Sequence, residues 1–76
     1  MNEIGPVLRE FRKTAGLTQK QLAKEIGVTP NAVSMYESGR RNFPMELLEP
    51  TCAVFKIEVR EFLDRVWPNG EMNGGE

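Results

Sequence analysis

The sequence predicts an all-α domain of five short helices, and three observations carry that prediction. Apolar residues recur at helical spacing, as Ile4, Val7, Leu8 and Phe11 do at i, i+3, i+4 and i+7. Threonines that cap helices well, Thr18 and Thr29, stand directly before two such stretches. Glycines stand where helices would stop, at Gly16, Gly27 and Gly39.

Taken in order, the first helix contains Ile4 to Phe11 and ends before Gly16. Pro6 falls in its first turn, where a missing N–H costs little. The second begins at Thr18-Gln19-Lys20-Gln21, a capping box in which Thr18 and Gln21 satisfy each other's backbone N–H groups. It runs through Leu22, Ala23 and Ile26 to Gly27. Only Val28 intervenes before Thr29, the N-cap of a third helix with Pro30 at its first position. That helix runs through Val33 and Tyr36 to Ser38-Gly39. Two short helices joined through a tight glycine turn have the sequence form of a helix-turn-helix. After a basic loop, Arg40-Arg41-Asn42, a fourth helix is expected from near Pro44 with Leu47, Leu48, Cys52 and Phe55. Pro50 inside it should kink it or divide it. A fifth, from about Glu58, carries Val59, Phe62, Leu63, Val66 and Trp67 and ends at Pro68. The domain is thus expected over residues 1–67, with the glycine-rich segment 68–76 as a flexible tail.

A chain of 76 residues is expected to form one domain with a modest core. It has one cysteine, Cys52, and no histidine, so neither an internal disulfide nor a Cys/His zinc site is possible, and no cofactor is expected. No apolar run approaches the roughly 20 residues of a membrane span. The first residues, MNEIGPVLRE, lack a signal-peptide pattern, so a cytoplasmic location is expected. The net charge of −1 hides an asymmetry: residues 1–42 carry seven Lys/Arg against four Glu, and residues 43–76 carry three against seven Asp/Glu. Nucleic acid responds to the local basic face rather than to the whole-chain sum. Phosphate loops and nucleophile elbows are absent, and a catalytic thiol would need a base that no histidine supplies, so a binding module rather than an enzyme is expected.

From Ile4 to Leu63 the chain resembles the lambdoid phage repressor and Cro family, also called the xenobiotic-response-element family of regulators. The resemblance rests on LREFRKTAGLTQKQLAKEIGV (8–28), TPNAVSMYESGRR (29–41) and FKIEVREFL (55–63). It implies a five-helix, lambda-repressor-like DNA-binding domain whose third helix enters the major groove of double-stranded DNA. The positions of Pro30, Asn31, Ser34 and Met35 commonly face bases in that family. It also implies a pairing of Arg12 with Glu37 that braces the first helix against the end of the third. Cys52 falls where the family buries a small alanine, and is read as core.

The chemistry of these side chains can be weighed separately. Asn31, in the first turn of the third helix, can donate and accept at once, which suits adenine N6/N7; otherwise it caps the helix or meets water. Met35 can pack on a thymine methyl or fold into the core, and the sequence leaves both open. Thr18 and Gln19 stand at the start of the second helix, where backbone N–H groups suit a phosphate. Lys20, Arg40 and Arg41 are candidate phosphate neutralisers, as a cluster rather than singly.

One recognition helix spans few base pairs, so a homodimer on a near-palindromic operator is expected, with half-sites about 34–36 Å apart. The exposed remainder of Val59, Phe62, Val66 and Trp67 is the candidate dimer surface; the alternative is that all four close the core. Two other functions fit the same residues: an antitoxin that binds a toxin partner and its own promoter, and a protein-interaction domain without a DNA role.

Overall fold

The computed structural model describes residues 3–68. They form five α-helices: α1 (Ile4–Thr14), α2 (Gln19–Ile26), α3 (Pro30–Ser38), α4 (Leu48–Phe55) and α5 (Val59–Val66), with a 3₁₀ turn at Met45–Leu47. The segment 69–76, most of the expected tail, lies outside the described residues.

Local chemistry explains most boundaries. Thr18 Oγ1 accepts from the Gln21 N–H at 3.0 Å and Gln21 Oε1 accepts from the Thr18 N–H at 2.8 Å, closing the capping box. Thr29 Oγ1 accepts from the Ala32 N–H at 3.1 Å, with Pro30 opening α3. At the other ends one closure recurs four times. A residue two past the helix, or three past it after α1, donates its N–H back to a carbonyl five residues earlier: Leu17 to Arg12, Val28 to Ala23, Arg40 to Met35 and Ile57 to Cys52, at 3.0–3.1 Å. This closure needs a left-handed residue just before the donor. Gly16, Gly27 and Gly39 supply it in three cases; in the fourth Lys56 does, at φ 61°. A side chain in that conformation costs roughly 1–2 kcal/mol, part of which glycine would return as unfolded-chain entropy. Lys56→Gly is therefore expected to raise the unfolding free energy by about 1 kcal/mol in urea denaturation. A loss instead would show that the lysine stem's own packing outweighs the strain.

The core gathers Val7 and Leu8 of α1, Leu22, Ala23 and Ile26 of α2, Val33 and Tyr36 of α3, Cys52 and Phe55 of α4, and Phe62 and Val66 of α5. Phe11 stacks on Phe55 and Phe62 with ring centroids 6.1 and 5.7 Å away, joining α1, α4 and α5. Its outer side is covered by the Arg65 guanidinium, 5.4 Å from the ring centre, which also pairs with Glu10. The hydrogen bond and charge of Arg65 hold the Glu10 carboxyl below the usual carboxylate range. Both groups are solvent-exposed, so this tie contributes little.

Two expectations are corrected here. The fourth helix does not run from Pro44 through Pro50. A 3₁₀ turn, closed by the Leu47 N–H on Pro44 O at 3.0 Å, comes first, and α4 starts at Leu48. Pro50 thus lies in the first turn of α4. Its ring and missing N–H forbid an α-helical bond to the Glu46 carbonyl, so the division falls upstream of the proline rather than at it. The second correction concerns α5. Phe62 and Val66 are 0% and 1% exposed and have no surface to offer a partner; of the four proposed dimer residues only Val59 and Trp67 are partly exposed. A turn-by-turn apolar stripe cannot by itself tell an inner row from an outer one.

Thr51 is fully buried in α4, and its hydroxyl has no hydrogen-bond partner among the described residues. A buried hydroxyl left unpaired costs about 1–3 kcal/mol. Thr51→Val keeps the shape and removes the polar atom, so it is expected to raise the unfolding free energy by about 1 kcal/mol or more. Thermal denaturation gives the sign directly; a clear loss would place a bound water on the hydroxyl.

Candidate nucleic-acid interface

Helix α3 has two faces set by its sequence. Ala32, Val33, Tyr36 and Glu37 are buried, which turns Asn31, Ser34, Met35 and Ser38 outward at the i, i+3, i+4, i+7 spacing of one stripe. These four line one shallow depression together with Arg40. Asn31 Nδ2 donates to Met35 Sδ at 3.6 Å, and the Ser38 hydroxyl donates to the Met35 carbonyl at 3.2 Å. Met35, whose direction the sequence left open, lies half-buried on this outer face. Ser38 escaped sequence reasoning, although its position seven residues after Asn31 was a sufficient signal.

The inner face is anchored by a buried network. Arg12 Nε donates to Glu37 Oε2 at 2.6 Å and Arg12 Nη2 to Glu37 Oε1 at 3.2 Å, while Arg12 Nη1 reaches Leu17 O at 2.7 Å. Gln19 Nε2 donates to Glu37 Oε1 at 3.0 Å. Arg12 and Glu37 are each 8% exposed. One carboxylate therefore gathers α1, the start of α2 and the end of α3. The arrangement also has an electrostatic result: Glu37 is the sole acid of α3, and both its oxygens are engaged inside. No carboxylate of α3 faces the depression.

Gly5 makes a second contact between α1 and α3 that the sequence did not reveal. A Cβ at Gly5 would lie 2.5 Å from Glu37 O and 2.7 Å from Tyr36 O. The two helices approach here more closely than any side chain permits.

Arg40 and Arg41 line different grooves. Arg40 borders the outer depression of α3. Arg41 lines a separate groove with Glu3, Tyr36, Asn42 and Trp67. Successive residues after a left-handed Gly39 leave the helix in different directions, which adjacency in sequence conceals. Thr18 and Lys20 are exposed at the start of α2, and Thr18 is occupied by its cap. Gln19 is half-buried and bound to Glu37, so its side-chain amide faces the end of α3.

Among the described residues no group of three His, Cys, Asp or Glu could hold a metal ion, and no helix is long and apolar enough to cross a membrane. The Cys52 thiol is buried, and burial together with the charge of Glu61 pushes its pKa up, away from nucleophilic thiolate.

Two capped helices, a tight glycine turn and a polar outer stripe on the second of them coincide with a family match over residues 8–62 to the helix-turn-helix description. The chain belongs to the helix-turn-helix family. Within that family it resembles regulators of the xenobiotic-response-element type. It is 35% identical over 54 residues to the antitoxin PezA of Streptococcus pneumoniae, covering 71% of this chain but only 34% of PezA. Among solved structures, the clp gene regulator ClgR of C. glutamicum superposes with a TM-score of 0.78 at 32% identity, over 86% of this chain and 84% of ClgR. The biofilm master regulator SinR, solved in complex with DNA, superposes with a TM-score of 0.71 at 31% identity, over 80% of this chain and 98% of that one. This helix-turn-helix chain therefore shares its fold with known regulators over most of its length.

Proposed function

We propose that this chain binds double-stranded DNA in a sequence-specific way and regulates transcription, most simply as a repressor, in the cytoplasm. The observation that carries this reading is the two-sided α3. Its inner face is locked by the core and the Arg12–Glu37–Gln19 network, and its outer face presents Asn31, Ser34, Met35 and Ser38 beside Arg40. A helix so held fits the major groove, where each base pair shows its own donor and acceptor pattern. The likeness to SinR, solved with DNA, supports the same reading. Pro30 opens the helix at the groove side, and Thr18, Gln19, Lys20 and Arg40 are the proposed phosphate contacts. Arg41, set apart in its own groove, contributes less.

The test is selection of binding sites from a random duplex library at about 100 mM salt, where electrostatic retention is reduced without being abolished. Enrichment of one sequence is the expected result; retention without enrichment would leave only backbone binding. On the enriched site Asn31→Ala is expected to cost about 1–3 kcal/mol and to relax one position. Arg40→Ala should instead weaken all sequences alike and flatten the salt slope by about one charge. Arg40→Ala without effect on either quantity would remove Arg40 from the interface.

Useful specificity calls for two copies, and the partly exposed row of Val59 and Leu63 on α5 with Trp67 just past its end is the proposed contact between them. Sedimentation equilibrium with and without operator DNA decides this: a strict monomer in both states excludes it. The likeness to PezA favours a second reading, in which the chain is an antitoxin with a toxin partner. That reading requires a neighbouring gene whose product arrests growth unless this chain is co-expressed.

A further inference from the structure

The groove that Arg41 lines lies where three elements meet: the start of α1, the end of α3 with the loop after it, and the end of α5. It holds about 430 Å³, within the range of small-molecule sites, and Phe43, Val66 and Trp67 give it an apolar wall. Its polar groups lack partners among the described residues. Glu3 and Arg41 carry opposite charges, yet neither makes a hydrogen bond or an ion pair there. Ile4 and Gly5, which also line the groove, open α1 without a cap, since the Glu3 side chain makes no capping bond. Backbone N–H groups at such a helix start suit an anionic oxygen. Tyr36 is an independent feature of the same groove. Only 6% of it is exposed, and its hydroxyl makes no hydrogen bond. The Thr51 hydroxyl is the one sealed, unpaired side-chain atom among the described residues, so the Tyr36 tip opens on the groove its residue lines. A few polar groups converging on one apolar slot are the make-up of a ligand site.

We propose that this groove binds a free amino acid with an apolar side chain. Its carboxylate meets the Arg41 guanidinium and the N–H groups that start α1, with the Tyr36 hydroxyl as a further donor. Its ammonium meets the Glu3 carboxylate, and its side chain lies against Phe43, Val66 and Trp67. A simple anion would be repelled by Glu3 and a simple amine by Arg41, so the charge pattern selects a zwitterion over either. A bound ligand bridges the start of α1 and the end of α3, where Gly5 already approaches the Tyr36 and Glu37 carbonyls. Occupancy therefore stabilises the folded placement of α3 by mass action. This site stands independently of the DNA-binding function proposed above.

Trp67 is the one tryptophan of the chain and lines the groove, so its emission reports occupancy directly. The full chain is titrated with L-leucine and with L-phenylalanine, neither of which emits where tryptophan does. A saturable change in Trp67 emission is expected with at least one of them. At ten times its Kd that amino acid should also raise the thermal midpoint by about 6–11 °C. Its amide lacks the carboxylate and its N-acetyl derivative lacks the ammonium, and each is expected to bind about tenfold more weakly or worse. Glu3→Gln should remove most of the penalty of N-acetylation while leaving that of amidation, and Arg41→Gln should do the reverse. These crossed effects separate a zwitterion site from apolar adsorption on Trp67, which would treat all three compounds alike. Both variants replace exposed side chains, and unchanged unfolding without ligand checks that they fold. Three results would overturn the site: no saturable change with either amino acid, either derivative bound as tightly as its parent, or penalties that neither variant alters.

Discussion

Glu37→Ala is expected to lower the unfolding free energy by about 3–5 kcal/mol, the loss typical when one member of a buried ion pair is removed. The geometry places this variant at the severe end. Arg12 would keep its bond to Leu17 O, but the remaining guanidinium donors and the Gln19 amide would face an apolar methyl inside the protein. A domain of 76 residues has a total stability of only about 4–11 kcal/mol, so the change consumes much of it. Urea denaturation followed by circular dichroism measures the loss. The double change Arg12→Met with Glu37→Leu removes both charges and is expected to recover most of it, because desolvating a buried pair offsets much of its attraction. A single-variant loss below about 1 kcal/mol would mean that solvent screens the pair as it screens surface bridges.

The second large effect is Gly5→Ala, and here the sign itself is diagnostic. Within a helix, alanine normally gains up to about 1 kcal/mol over glycine. At Gly5 the new methyl would meet two backbone carbonyls of α3 at 2.5 and 2.7 Å, atoms that cannot rotate away. Overpacking of this kind costs about 1–3 kcal/mol and sometimes more, so a net loss is expected in place of the usual gain. For a domain of this size that lowers the midpoint by roughly 5–15 °C in a thermal melt. A raised midpoint would show that α1 can move away from α3 at little cost. If α1 does shift, the end of α3 loses one of its two anchors, and under the proposed DNA-binding function the variant's selectivity for its site should fall along with its stability.

Helix count, fold class and most helix ends were determined by the sequence alone. Thr18, Gln21, Thr29, Pro30 and the three left-handed glycines act through bonds that span six residues or fewer, so their meaning is local and can be read without a fold. The outward placement of Asn31 and Ser34 on α3 was legible for the same reason, because helical periodicity puts them on one face, whereas the direction of Met35 was settled only by the structure. The pairing of Arg12 with Glu37, 25 residues apart, followed from family resemblance rather than from any local rule.

The tertiary structure alone decided the rest, in each case because the deciding contact is remote in sequence or depends on the path of the backbone. Phe62 and Val66 are sealed by other helices, which removes them from any dimer surface. Gly5 matters only because α3 passes beside it. Arg40 and Arg41 separate because a left-handed glycine turns the chain just before them. Pro50 divides its segment upstream of itself rather than at its own position, because its ring and missing N–H exclude an α-helical bond to the Glu46 carbonyl in the turn ahead, a placement that residue spacing alone does not give.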